Sequence, residues 1–364
     1  MKKSLSLACL SVSLLLFSCQ KDLNQVSKID QPGVQQNASG IVATPDPYFD
    51  SLFTRYGGGW TGGDVGYSHP LPDGRVMWLW GDSFLDTVYP DRHRPVVGFI
   101  HNSITVTDDA GNFTTYHGGT QKKPKAFFAS KDPKIYWTNS AFLSADKKFA
   151  YILMANIFNT GEGGLFGFRF KGSSVGLLDL ATMTKVGTYD FSMDSVIDWT
   201  SCTLQEGDYV YIYGAESTRL TKHAHVSRTP LNNPIKKMEY YDGTKWVSDP
   251  SKSARLLSKV SEQYSVFQYE GKYYLLSQEG VLMSPDIYLY DAASPVGPFT
   301  NKRKVYTTPQ TGGNIITYNA VAHPEYTKDG HLLISYSVNS NNGRDLYRNA
   351  DNYRPYFVRL SGWQ

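Results

Sequence analysis

Asp198-Trp199-Thr200-Ser201-Cys202-Thr203-Leu204-Gln205-Glu206-Gly207-Asp208-Tyr209-Val210-Tyr211-Ile212-Tyr213 decides the fold. An acid opens the stretch and a short run follows. Gln205-Glu206-Gly207-Asp208 supplies a turn, and a run of tyrosines and β-branched residues then suits a pleated, half-buried strand. The same order of parts recurs four times. Asp64 precedes the turn Pro72-Asp73-Gly74-Arg75 and the run Val76-Met77-Trp78-Leu79-Trp80. Asn139 precedes Phe149-Ala150-Tyr151-Ile152-Leu153-Met154. Glu262 precedes Tyr269-Glu270-Gly271-Lys272 and Tyr273-Tyr274-Leu275-Leu276, and Asn319 precedes Thr327-Lys328-Asp329-Gly330 and His331-Leu332-Leu333-Ile334-Ser335-Tyr336.

Self-similar segments of this kind mark a solenoid or a propeller. The openings at 64, 139, 198, 262 and 319 are 57 to 75 residues apart. That is longer than a common four-stranded blade and implies loop insertions. The third segment continues with His225-Val226-Ser227-Arg228 and Met238-Glu239-Tyr240-Tyr241, enough for four strands. Turn residues separate such runs throughout, and no long stretch has a helical period. The fold class is therefore all-β, a five-bladed β-propeller over residues 46–364. A seven-bladed propeller and a pair of β-sandwiches are the alternatives. Ring closure needs a strand from the N-terminal side to meet Pro355-Tyr356-Phe357-Val358-Arg359-Leu360, and Tyr48-Phe49-Asp50-Ser51-Leu52-Phe53 is the expected partner.

The N-terminal residues read as a targeting segment. Lys2 and Lys3 precede a mostly apolar stretch over residues 5–17, too short for a confident membrane span. Leu16-Phe17-Ser18-Cys19 resembles the bacterial lipobox, with residues 1–18 as signal peptide and Cys19 as the lipidated residue. An ordinary cleaved signal is the alternative. Residues 19–45 are polar and read as a flexible tether. Of the three cysteines, Cys9 lies in the signal and Cys19 would carry lipid, so Cys202 stands alone as a small core residue. These features predict an outer-membrane lipoprotein, facing the periplasm or the outside, whose domain is a monomer. A net charge of +3 sets up no field that would attract nucleic acid.

In a propeller blade the first strand lines the channel and the second runs back beside it. Starts of first strands and ends of second strands then share one face. Asp64, Asn139, Asp198, Glu262 and Asn319 are the predicted starts. Asp82, Asn156, Glu216, Gln278 and Asn339 are the predicted ends. Trp60, Trp137 and Trp199 lie next to starts, where flat rings can stack on sugars. His323 is a candidate for substrate binding or for steadying a central ion. Eight histidines without a His-x-x-x-His pair, and no cysteine cluster, argue against structural zinc. No cofactor is expected, although oxygen ligands on the axis could hold a structural calcium ion.

At these residues the chain resembles the five-bladed β-propeller glycoside hydrolases, the superfamily of arabinanases, β-xylosidases and fructan-cleaving enzymes. The resemblance implies a carbohydrate substrate and three acids: Asp64 as base, Asp198 as the residue that tunes acidity, Glu262 as proton donor. It implies substrate contacts from Trp60, Asp82, Trp137, Asn139, Trp199, Glu216, Gln278, Asn319 and His323. Two departures matter. Val65 follows Asp64 where the arabinanase branch commonly has proline. Gly81-Asp82-Ser83-Phe84 and Asn319-Ala320-Val321-Ala322-His323-Pro324 look more like propeller lipoproteins of Bacteroidetes, which makes Asp82 a rival base. An arabinan-type pentofuranose glycan is the favoured substrate. A glycan-binding propeller without catalysis and a protein-assembly platform are the competing readings.

Overall fold

The aromatic and β-branched runs pair antiparallel with their chain neighbours, and the pairs group into five sheets arranged as blades and one small two-stranded sheet of Gly118–Thr120 and Lys123–Lys125. The computed structural model describes residues 31–131, 133–162, 167–192, 194–219, 221–280 and 284–364. Cys19, the signal segment and the first part of the expected tether lie outside the described residues.

Blade one is built from Trp60–Pro70, Val76–Leu85, Ser103–Thr107 and Phe113–Tyr116. Blade two is Lys134–Leu143, Phe149–Asn159, Phe168–Asp179 and Thr184–Ser192. Blade three starts with Ile197–Glu206, Tyr209–Ser217 and Lys222–Pro230 and ends in the short Glu239–Tyr241 and Trp246–Val247. Blade four is Ser265–Tyr269, Lys272–Gln278, Asp286–Ala292 and Thr300–Thr307. Blade five takes Ile315–Lys328, His331–Ser340 and Pro355–Ser361 from the C-terminal end. The five-bladed, all-β expectation matches this arrangement. No helix among the described residues is long and apolar enough to cross a membrane.

Closure differs from the expected one. Val42–Pro45 pairs with Pro355–Ser361, Val42 opposite Ser361 and Pro45 opposite Val358, and Gln35–Gln36 adds outside it. Part of the expected tether is thus an outer strand of blade five. Tyr48–Phe53, the expected closing strand, starts instead as a helical turn over Pro47–Leu52. The local sequence explains this. Asp46 accepts hydrogen bonds from the backbone N–H groups of Tyr48 and Phe49, and Pro47 sits in the first turn, where its missing N–H costs nothing. Phe49 and Phe53 then drop onto Trp78, Trp80 and Phe357, with ring centroids 4.8–6.0 Å apart.

The core is divided as a propeller requires. Each apolar cluster fills the wedge between two adjacent blades: one and two, two and three, three and four, four and five, five and one. Trp60, Trp78 and Trp80 fill the last wedge together with the helical turn. Cys202 is buried between blades three and four, and burial pushes its thiol up to about 12, as fits a packing residue and not a nucleophile.

A chain beginning at residue 46 lacks the outer strand of blade five and the buried side chains of Ile41 and Ala43. It should melt roughly 5–10 °C below one beginning at residue 31, as a loss of a few kcal/mol would produce. Calorimetry of the two proteins checks this.

Candidate active site

The inner strands do not pair evenly. In blade two, Thr138 faces Met154 and Ala141 faces Ile152, so Asn139 and Ser140 bulge out. In blade five, Tyr318 faces Ser337 and Val321 faces Ser335, which leaves Asn319 and Ala320 in the bulge. In blade three, Asp198 faces Ala215 and Cys202 faces Tyr213. Register also shifts around Asp64, between Gly63 and Val65. Bulges re-aim side chains and are frequent beside functional sites. Val65 and Asn319 are forced to φ of 78° and 54°. For a β-branched residue such as Val65 that conformation is strained, and its N–H is held by Ser337 Oγ at 3.2 Å.

The expected common phase of the three acids needs correction. Asp64 is the fifth residue of its strand and Asp198 the second, whereas Glu262 stands three residues ahead of its strand. A belt of side-chain contacts, not equal phase, links them. Tyr318 donates to Asp64 Oδ2 at 2.7 Å, and the hydroxyl of Tyr353 also serves this carboxylate. Next to Tyr318, Asn319 accepts from Ser261 Oγ at 3.1 Å, and Ser261 adjoins Glu262. Beyond Glu262, Gln263 Nε2 donates to Asn139 Oδ1 at 3.2 Å. Asn139 Nδ2 donates to Thr200 Oγ1 at 2.6 Å, which in turn donates to Asp198 Oδ1 at 2.6 Å. Trp137 Nε1, from blade two, donates to Asp82 Oδ1 of blade one at 3.0 Å, and His101 Nδ1 lies 2.9 Å from the same oxygen.

The carboxyls fall into two pairs. Asp64 is only part-exposed, and its carboxyl lies deep among Tyr318, Tyr353 and Asp82. Burial and, second, repulsion from Asp82 raise its pKa well above the ordinary aspartate range, while the two tyrosine hydroxyls oppose the rise. Asp198 is 5% exposed. Burial first and the charge of Glu262 second raise its pKa strongly, with Thr200 and Ser173 pulling it down. Glu262 is more open. Lys222 Nζ lies 2.5 Å from its Oε2, and Ser217 Oγ donates to it at 3.3 Å. Gly81 makes room for the first pair, because a Cβ there would stand 2.6 Å from Asp64 Oδ1.

Several expected substrate contacts are structural. Trp60 is fully buried against Phe53 and Trp80, and Trp199 is fully buried against Tyr240. Neither ring can reach a ligand, since both fill interblade wedges. Gln278 is buried and donates to Ser284 O at 2.8 Å and to Thr317, tying blade four to blade five. His323 is buried below the bulge beside Trp78 and Phe357. Its nitrogens face Ser68 Oγ at 2.5 Å and Ser335 Oγ at 2.8 Å, which leaves neither for an ion. Asn139 and Asn319 are buried links of the belt. Glu216 turns to Arg255 and His225. Trp137, edge-on to Phe168 at 4.8 Å, and Asp82 remain part-exposed beside Asp64. No group of three or more His, Cys, Asp or Glu among the described residues is placed to hold a metal ion.

Sequence reasoning missed Tyr318, Tyr353, His101, Thr200 and Lys222. Tyr318 adjoins Asn319 and Thr200 lies two residues past Asp198, so proximity could have flagged them. Nothing local marks Tyr353 or Lys222.

Residues 46–363 match the family described as "Domain of unknown function (DUF5005)". No protein of curated function matches the sequence. Among solved structures, a Bacteroides ovatus protein named only provisionally as a hydrolase shares the fold with TM-score 0.78 and 22% identity, over 93% of this chain and 97% of that one. An exo-β-1,3-galactanase of Phanerochaete chrysosporium matches with TM-score 0.51 and 10% identity, over 84% of this chain and 63% of that one.

A raised pKa carries a stability cost. Unfolded Asp198 ionises near pH 4, whereas the folded carboxyl keeps its proton longer. The folded state therefore binds more protons, and stability falls as pH rises through that window. Asp198→Asn removes this cost. Its melting point relative to the parent should climb from pH 4 through neutrality, as thermal scans across pH will read.

Proposed function

Since the chain belongs to the DUF5005 family and carries two carboxyl pairs on one interblade belt, we propose that it is a lipid-anchored glycoside hydrolase of the outer membrane. Its substrate is a polysaccharide, with arabinan-type pentofuranose glycans first. The observation that carries the reading is the pairing itself: Asp64 with Asp82, and Asp198 with Glu262. Glycoside hydrolysis needs one carboxyl to protonate the leaving oxygen and a carboxylate to activate water or attack carbon.

Asp64 serves as base for an inverting attack. Its raised pKa makes the carboxylate a stronger base, and Tyr318 with Tyr353 fix its direction. Asp64 takes a proton from water as the oxygen attacks the anomeric carbon. Glu262 gives a proton to the glycosidic oxygen as that bond breaks. The proton that burial keeps on Asp198 must sit on Glu262 when sugar is bound, which leaves Asp198 charged among the hydroxyls of Thr200 and Ser173. Lys222 then turns from Glu262 to the sugar. Trp137 and Asp82 supply a flat ring and a fixed acceptor for the substrate. Hydrogen bonds from Trp137 and His101 make Asp82 more suited to binding hydroxyls than to serving as base.

The Lys222–Glu262 ion pair favours one rival, a propeller that binds glycans without cleaving them. Incubation with a panel of plant and microbial polysaccharides, followed by product analysis, separates the two. Cleavage by the parent that falls roughly 10²–10⁴-fold in kcat for Glu262→Gln, with binding retained, supports the acid role. A fully active Glu262→Gln protein overturns it, and binding without any cleavage by the parent selects the rival.

Tyr318→Phe removes a hydrogen bond that favours the ionised form of Asp64. Asp64 must be ionised to act as base, so the acidic limb of the pH–rate profile should move to higher pH. An unshifted limb would assign the base to another group.

A further inference from the structure

A hollow of about 820 Å³ lies over the junction of blades two and three, within the range of roughly 300–1,000 Å³ that ligand sites occupy. It opens on the face that carries the acids. Ile197 in its wall immediately precedes Asp198. Ser192, also in the wall, pairs with Ser173, whose hydroxyl donates to Asp198. Glu216 adjoins Ser217, which donates to Glu262. The hollow therefore comes within one residue of Asp198 and, through Ser217, within one hydrogen bond of Glu262.

Its lining is prepared for hydroxyl groups. Arg255 grips Glu216 with two hydrogen bonds, Nε at 2.5 Å and Nη2 at 2.8 Å. His225 Nε2 lies 3.3 Å from the same carboxylate, and its Nδ1 is 3.1 Å from Ser253 Oγ. Arg255 in particular holds the Glu216 carboxyl low, at about 2, so it is an acceptor at any working pH. The ion pair cancels its own charge yet leaves lone pairs and N–H groups fixed in direction. Phe191 and Tyr240 add ring surface. Asp194, also in the wall, accepts from the backbone N–H groups of Val196 and Ile197 and leaves acids in excess over Arg255. Flat apolar surface beside fixed donors and acceptors, with acids in excess, suits an uncharged polyol better than an anion.

We propose that this groove is a subsite for the extension of a neutral oligosaccharide chain, which makes the protein selective for glycans several residues long over short ones. This rests on the glycosidase reading for its consequence in catalysis, not for the binding itself.

The test uses the soluble protein from residue 31 and linear oligosaccharides of arabinan, xylan, galactan and levan, from trimer to octamer. Binding is measured by calorimetry and cleavage by chromatography. Arg255→Ala removes the grip on Glu216, and Ser251→Trp fills the groove from an exposed position. The preference for hexamer over trimer should fall at least about fivefold in both variants, as the loss of one or two hydrogen-bonded contacts implies, with melting points kept. Equal chain-length profiles in parent and variants overturn the groove while leaving hydrolysis intact. Length-dependent binding that the variants lose, with no cleavage by the parent, upholds the groove and removes the hydrolase reading. If none of these oligosaccharides binds, both fall.

Discussion

Burial of Asp64 and Asp198 is the constraint on which the rest of the molecule turns. A carboxyl removed from water must be hydrogen-bonded or must keep its proton, and here a second carboxyl stands beside each one. Only a rigid surrounding can hold such pairs together. The ring supplies it, because every blade contributes to the belt: tyrosine from blade five to Asp64, serine from blade four to Asn319, glutamine from blade four to Asn139, threonine within blade three to Asp198, tryptophan from blade two to Asp82. Removal of Ser261 or Gln263 would leave the buried Oδ1 of Asn319 or Asn139 without its partner, which costs more than the bond itself contributes.

The bulges convert this ring into a site. A regular inner strand would alternate its side chains between the two blade faces and bury half of them in the wedges. An extra residue at Asn139 and Asn319, and an irregular register at Asp64, turn polar side chains toward the axis while the flanking apolar residues stay in the wedges. The left-handed backbone of Val65 shows the strain this takes. Closure by Val42–Pro45 and the helical turn above Trp78 and Trp80 supply packing that keeps that strain in place.

The two pairs are not alike, and the difference has chemical meaning. Asp64 is set among tyrosine hydroxyls that favour its ionised form, as a base requires. Asp198 is the more enclosed partner of its pair, and Glu262 the more open one, within reach of Lys222 and of the groove over blades two and three. A sugar chain along that groove would meet the open member first. On the proposed reading, that order would couple the chemistry of the pair to recognition of what lies beyond the cleaved bond.

Local sequence was enough for the blades. Strand runs such as Tyr209–Ser217, turns such as Pro72-Asp73-Gly74, and the acids at 64, 198 and 262 are short-range patterns, and a strand's propensity and period are written within a few residues. The helical turn at Pro47–Leu52 is legible too, since Asp46 and Pro47 are a capping pair, although the aromatic run over residues 48–53 also resembles a closing strand. Other features belonged to the tertiary structure alone. Trp60 and Trp199 read like sugar platforms, yet the wedges took them, because burying a large ring between blades removes more apolar surface from water than the mouth could. His323 and Gln278 became ties between strands. Register slips depend on the partner strand, so no reading of one strand could place Asn139 or Asn319. Tyr353 reaches Asp64 across nearly the whole chain length, and Lys222 meets Glu262 from the neighbouring blade. Residue type fixed which groups could carry charge; the closed ring decided which of them would face one another.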